Sequence, residues 1–463
     1  MGKDIALLRK FFSHELAGLI IIGVLLRLAM MPYFSCTYDT SAYCSSSIWF
    51  LNRYDPYSTH VSIYPPFIYF FNFPLFSLAY QLGFSPGYHY VEEAANIGSV
   101  SGLVTPNQVN PLFLVLWKIP LLCFDLLTGL LIYRFAKELT NNPRIPKLSF
   151  IIWFFNPFTL VISYFHGAYD VIVAFFVLLG SFFIYSRNYF SAGLSFGLGT
   201  LAKVSPIYTA LPIAMITLCK GGFRRSSRSD LKADVLDFSK FTTGLFIPLL
   251  LFAPLLIEYF RSMLFWVTNE VSIGGGLNQW FFATYPIGWE VVNTNIDIIQ
   301  KVFSLYPVIS LIVCFLLCRF LKWDHEWHGK NSLLAITLFT ALTYFFASSV
   351  VQPQYLLWIL PLLVVLSITR RVFIVPLFLL SVTGLTFLLS VQGPHAFLYP
   401  LAIYTPLTTP KQIGDAILGY MDLPGKPPYL WQNLCTVSGG IGFVGLLLTI
   451  YLIVTSLRHG GRS

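Results

Sequence analysis

Charge is scarce in this chain. Of its 463 residues only 11% are Asp, Glu, Lys or Arg, against 56% hydrophobic. Soluble domains carry nearer a quarter charged residues, so a water-soluble globule is excluded. There is no Walker motif, no GxGxxG and no Cys/His set at metal-ligand spacing, which removes the common nucleotide-binding and zinc-finger classes. No Asn-x-Ser/Thr acceptor and no tandem repeat occur. The start MGKDIALLRKFFSHELAGLIIIGVLLRLAMM is basic but lacks a small-residue cleavage site, so it reads as a retained first span rather than a signal peptide. Cysteine is also sparse, with seven residues, of which Cys123, Cys219, Cys314 and Cys318 fall in apolar runs and act as small hydrophobes.

What is abundant is apolar sequence in runs of about 20 residues, enough to cross a hydrocarbon core of roughly 30 Å. With 44 Phe and 17% aromatics, the composition suits lipid-facing and interfacial surface. An all-α polytopic membrane protein is expected. Spans are drawn at 12–31, 112–136, 147–165, 168–186, 189–204, 206–219, 241–258, 302–320, 332–349, 352–369, 372–391 and 436–457, a bundle of about 10–12 transmembrane helices. The net charge of +9 does not point to nucleic acid, because most of the 29 Lys and Arg gather in the loops of one side. That bias makes this side cytoplasmic. Three large loops then face the opposite side, at 32–111, 259–301 and 392–435. The first contains YPPFIYFFNFPLFSLAY, expected as a helix lying at the interface. The chain divides into residues 1–220, with the functional first loop, and 221–463. The loop motif DHEWH, with His325 and His328, reads as solvated.

A few polar residues interrupt the apolar pattern. Asp39 follows the first span directly, at the membrane rim, where a carboxylate is placed to take a proton from a hydroxyl; a solvated loop acid is the alternative. Cys36 and Cys44 flank it and are placed to pair in an oxidising compartment. Lys118 and Asp125 are seven residues apart on one span, close to two turns, so they share a face. They form either a structural ion pair or part of a substrate cavity. Lys203 lies in an apolar run just before Pro206, as in a discontinuous helix lining a cavity. Arg27, near the outer end of the first span, either snorkels or faces that cavity. His166 and Asp170 sit at an outer turn, where Asp170 also suits a helix N-terminus. Gln354 and Tyr355 stand at another outer mouth.

Taken together these stretches resemble the GT-C superfamily of polytopic glycosyltransferases, and within it are most similar to the GPI mannosyltransferase I family. The likeness is carried by Asp39 with DPY at 55–57 and YPP at 64–66, WKIPLLCFDLLTGLLIYR with Lys118 and Asp125, and HGAYDVIVAFFVLL with Asp170. LAKVSPIYTALPIA with Lys203, and QPQYLLWILP with Gln354, Tyr355 and Trp358, complete it. The resemblance implies inverting transfer of a sugar, mannose by expectation, from a dolichyl- or polyprenyl-phosphate donor. The acceptor would be a membrane-embedded glycan or glycolipid on the non-cytoplasmic face. Asp39 would be the catalytic base; Lys203, with Arg27 and Lys118, would bind the donor phosphate. Tyr64, Asp125, His166, Asp170, Gln354 and Tyr355 would bind substrate. The family's DxD has its first acid where this chain has Thr37, so a divalent cation is not required by the sequence and no metal ligand set is expected. The residues at about 81–110 are an extra stretch. Expected surroundings are the lipid bilayer and a small membrane-protein subunit. The membrane would be that of the endoplasmic reticulum with a lumenal site, or the plasma membrane of a prokaryote. A non-catalytic lipid-binding subunit of a GPI-transamidase-like complex, or a secondary transporter, are the alternatives. The former family lacks an acid at the position of Asp39, and the latter would show internal symmetry that is not found here.

Overall fold

The computed structural model describes residues 14–52, 64–84, 88–92, 107–218, 228–269, 330–347, 352–392, 394–421 and 430–459, with single positions 57, 105 and 312. The chain is an all-α membrane protein with one minor addition, a two-stranded antiparallel ribbon in which Tyr88–Tyr90 pairs with Asn107–Val109. That ribbon closes the extra stretch of the first loop. The expected span 302–320 apart from Ile312, the DHEWH loop, Asp55–Pro56 and most of loop 259–301 lie outside the described residues.

Every other drawn span is present as helix, yet the helices are shorter and more broken than continuous spans. Among the described residues three are long and apolar enough to cross a membrane alone, Pro111–Leu139, Arg371–Ser390 and Leu434–Ser456, and two bent pairs raise this to five. Leu16–Met30, Asp170–Tyr185, Ser205–Leu218 and Pro353–Thr369 are apolar but short. The remaining drawn spans appear among the described residues as shorter or broken helices, and the breaks have local chemical causes. Arg144–Phe154 bends by 42° into Pro157–His166. There Asn156 leaves the helix and its side chain caps Phe158 N, while Pro157 supplies no N–H to continue the ladder. The second piece ends in a π-helical turn, Val161–His166, closed by Gly167 at φ +84°. The pair Leu231–Leu251 and Ala253–Met263 bends by 77° next to Pro254.

Caps set the remaining ends. Asn110 accepts from Leu112 N at 2.9 Å with Pro111 in the first turn, and Asn188 accepts from Ser191 N at 3.2 Å. The Lys203 break is real: Tyr189–Ala202 stops, Lys203 is extended at φ −157°, and Ser205–Leu218 begins. The helix Phe67–Gln81 buries Ile68, Asn72, Phe76 and Ala79, a stripe at helical spacing, and packs Phe76 on Phe113 at 5.1 Å.

Close helix contact occurs where side chains are absent. A Cβ on Gly193 would land on Phe241 O, one on Gly197 would sit 2.5 Å from Leu245 O, and one on Gly244 would meet Phe190 O. The helices Tyr189–Ala202 and Arg228–Leu251 thus touch backbone to backbone through glycine, the small-residue packing that membrane helices use in place of a hydrophobic drive. Gly193→Ala should cost about 1–3 kcal/mol by forcing them apart. Gly18→Ala, whose Cβ would meet nothing within 4 Å, should be near neutral. Denaturant unfolding in detergent compares the two, and equal stability would refute the close-packing account.

Candidate active site

The polar residues of several inter-helix turns converge at one end of the bundle. The turn before the helix Thr37–Leu51 is tied to the end of the π turn, with Cys36 N donating to His166 O at 3.0 Å. Gly167 makes this approach possible, since a Cβ there would sit 2.8 Å from Thr40 Cγ2. Trp117 Nε1 donates to Gly167 O at 2.8 Å and pins the same turn to the Pro111–Leu139 helix.

Asp39 lies in the first turn of Thr37–Leu51, not in an open loop, and its side chain keeps 21% exposure. Its Oδ2 stands 3.3 Å from His166 Nε2. Burial pushes the Asp39 carboxyl up to about 6; the Lys203 charge pulls it down and that of Asp170 pushes it up. Burial also raises the Cys36 thiol, against the Tyr38 and Asp39 backbone N–H groups that favour its anion. Neither Cys36 nor Cys44 is in a disulfide. The disulfide is ruled out by the helix, because eight residues rise about 12 Å, well beyond bridging distance.

Lys203 faces Asp39 across the site. Its Nζ donates to Asp170 Oδ1 at 2.9 Å and lies 4.1 Å from the Tyr355 ring, 5.1 Å from Trp358 and 5.2 Å from Tyr169. Asp170, 2% exposed at its side chain, also accepts from Trp358 Nε1 at 2.7 Å. The acid therefore aims the cation, and the aromatic rings favour its charge. Tyr355 stacks on Trp358 at 4.4 Å. Gln354 Oε1 is buried without a hydrogen bond. Beside Asp39, Tyr43 stacks on Trp117 at 4.7 Å and meets Tyr64 edge-on at 4.5 Å, with Tyr169 closing the group.

Two expected phosphate ligands are spent elsewhere. Lys118 Nζ donates to Met31 O at 3.0 Å, Tyr164 O at 2.9 Å and Phe34 O, so its three donors satisfy carbonyls left open at helix ends. Arg27 neither snorkels nor lines the site. It is fully buried, with Nε 2.9 Å from Asp125 Oδ2, while its other nitrogens donate to Gly23 O and Phe154 O. Asp125 also accepts from Tyr164 Oη at 3.0 Å. Lys118 and Asp125 share a helix without pairing: the acid's cation comes from the first helix instead. This places Asp125 in a structural ion pair rather than among substrate ligands. Thr37, standing where an acid would complete DxD, uses its Oγ1 to accept from Thr105 N at 3.3 Å and so anchors the extra stretch.

Trp117, Tyr43 and Tyr169 were not foreseen as site residues. Their signal, aromatics flanking the polar positions of outer turns, is hard to separate from ordinary interfacial aromatics.

No protein-family profile matches the chain. A stretch of 116 residues, 25% of the chain, is 31% identical to part of GPI mannosyltransferase 1 of Saccharomyces cerevisiae. The match spans 28% of that protein's length. This local likeness supports a relationship to glycosyltransferases.

Proposed function

We propose that the chain is an inverting mannosyltransferase of GT-C type, taking its sugar from a dolichyl- or polyprenyl-phosphate donor and passing it to a membrane-embedded glycan or glycolipid. One observation carries the reading. Of the charged and histidine side chains expected at the site from the sequence, Asp39 and Lys203 keep 21% and 19% exposure, while His166, Asp170, Arg27, Lys118 and Asp125 are at 0–2%. The residues open to substrate are thus one carboxylate and one cation, the two charges that this transfer needs.

In the reaction the acceptor hydroxyl attacks the anomeric carbon while Asp39 takes its proton. The bond from that carbon to the phosphate oxygen breaks, and the polyprenyl phosphate leaves with its new charge facing Lys203. An ammonium has three donors, and Asp170 uses one, so two remain for phosphate oxygens. Tyr64 and the Tyr355–Trp358 stack offer faces for the sugar ring, and Gln354 Oε1 an acceptor for a hydroxyl. Asp170 positions Lys203, and His166 lies behind Asp39. The basic residues Arg134, Lys137, Arg144, Lys147 and Arg187 stand at the helix ends opposite the site, which supports a site on the non-cytoplasmic face.

The test is transfer of labelled mannose from polyprenyl-phosphate mannose to an extracted glycolipid by purified protein. Product with inverted anomeric configuration is expected; donor binding without turnover would favour the lipid-binding subunit instead. A charge-assisted phosphate contact contributes about 1.5–3 kcal/mol. Lys203→Ala should therefore weaken donor binding by roughly ten- to a hundredfold, with Lys203→Arg retaining part of it. Unchanged affinity in Lys203→Ala would move the phosphate elsewhere.

A further inference from the structure

His166 is fully buried, and neither ring nitrogen makes a hydrogen bond. Buried polar groups nearly always find a partner, yet among the described residues Nδ1 has none, and Nε2 has only the Asp39 carboxylate at 3.3 Å, outside hydrogen-bond geometry, which leaves the imidazole open to a ligand. Its neighbours indicate the kind. Cys36 Sγ, an Asp39 carboxylate oxygen and a His166 ring nitrogen lie within 4.8 Å of one another. We propose that these three side chains bind a thiophilic divalent cation of the zinc class, and that its binding switches off Asp39 as a base.

The donor set selects the metal. One sulfur, one imidazole nitrogen and one carboxylate oxygen suit a four-coordinate zinc-class ion; magnesium and calcium prefer all-oxygen shells. Zinc–ligand bonds of about 2.0–2.3 Å put tetrahedral ligand atoms about 3.4–3.8 Å apart, so the three atoms need only small rotations to close on one ion. The backbone already holds them in register. Cys36 immediately precedes the helix whose first turn carries Asp39, and its N–H is bonded to the His166 carbonyl. Binding releases the Cys36 thiol proton to solvent and consumes no other reagent.

The fourth position would open on the exposed side of Asp39, toward substrate. Coordination neutralises that carboxylate and lowers its basicity, so the metal-free form is the active one. This second half rests on the proposed transfer reaction; the binding half does not.

Cobalt(II) titration of purified protein in detergent tests binding without any transfer assay. A thiolate-to-cobalt absorption band saturating at a single equivalent, and displaced by zinc, is expected. The band should disappear in Cys36→Ser and in His166→Gln and persist in Cys44→Ser, whose thiol lies outside the cluster. Circular dichroism checks the helix content of each, and if Cys36→Ser fails to fold, His166→Gln decides. No saturable band, or a band that survives both substitutions, overturns the site. Bound zinc that leaves the parent's transfer rate unchanged overturns the switch.

Discussion

Asp39→Asn should lower sugar transfer by about a hundredfold or more, some 2.7 kcal/mol of barrier, while the helix Thr37–Leu51 stays folded. The amide keeps the size and polarity of the carboxylate, so the contact with His166 and the fit against Thr37–Leu51 survive. What it loses is a lone pair basic enough to take the acceptor proton. Donor binding should change little, because Lys203 is anchored by Asp170 and Trp358 and not by Asp39. The combination is diagnostic: a large drop in kcat with near-normal donor affinity. Near-normal turnover in purified Asp39→Asn would remove Asp39 from the chemistry. An equal fall in donor binding would make it a binding residue.

Much of this site could be read along the chain, because each part announces itself by breaking a pattern. An acid directly after the first span, and a lysine ahead of a proline in apolar sequence, are costly placements that a sequence shows directly. The structure puts both at the same end of the bundle, each partly open. The break at Lys203 was legible for the same reason, since Pro206 follows it closely, but the break at Pro157 falls inside the span drawn at 147–165, and Pro74, Pro120, Pro212 and Pro248 lie within helices.

Pairing was not legible. Spacing showed that Lys118 and Asp125 share a face, but two turns on one helix leave them too far apart to touch, and partners come from whatever packs across. Arg27 arrives from a helix about a hundred positions upstream. The first loop misled for a related reason: Asp39 was placed in a loop following the first span, yet from Thr37 the chain forms a helix sealed by Tyr43 on Trp117. The helix also abolishes the Cys36–Cys44 bridge and turns Cys36 toward His166, a contact between segments 130 positions apart.

Asp125→Ala is expected to be the most destabilising of the substitutions considered, by about 3–5 kcal/mol. Arg27 would then remain at 0% exposure with no counter-charge. Its remaining contacts, the Gly23 and Phe154 carbonyls and the Phe154 ring at 3.7 Å, are neutral and cannot offset a buried cation. Tyr164 would also lose its acceptor, leaving a second buried group unsatisfied. Removing both charges together, as Arg27→Met with Asp125→Leu, should restore most of the loss, since a buried ion pair contributes little beyond an apolar pair of similar volume. The measurement is unfolding free energy in a detergent-denaturant titration for the parent, each single variant and the double. Strong coupling between the two positions is the expected result. The phosphate-binding expectation for Arg27 is tested by the same proteins: the double variant, once folded, should bind donor like the parent. If Asp125→Ala unfolds like the parent, or if the stable double variant loses donor binding, the pair is not a structural clamp and Arg27 returns to the substrate site.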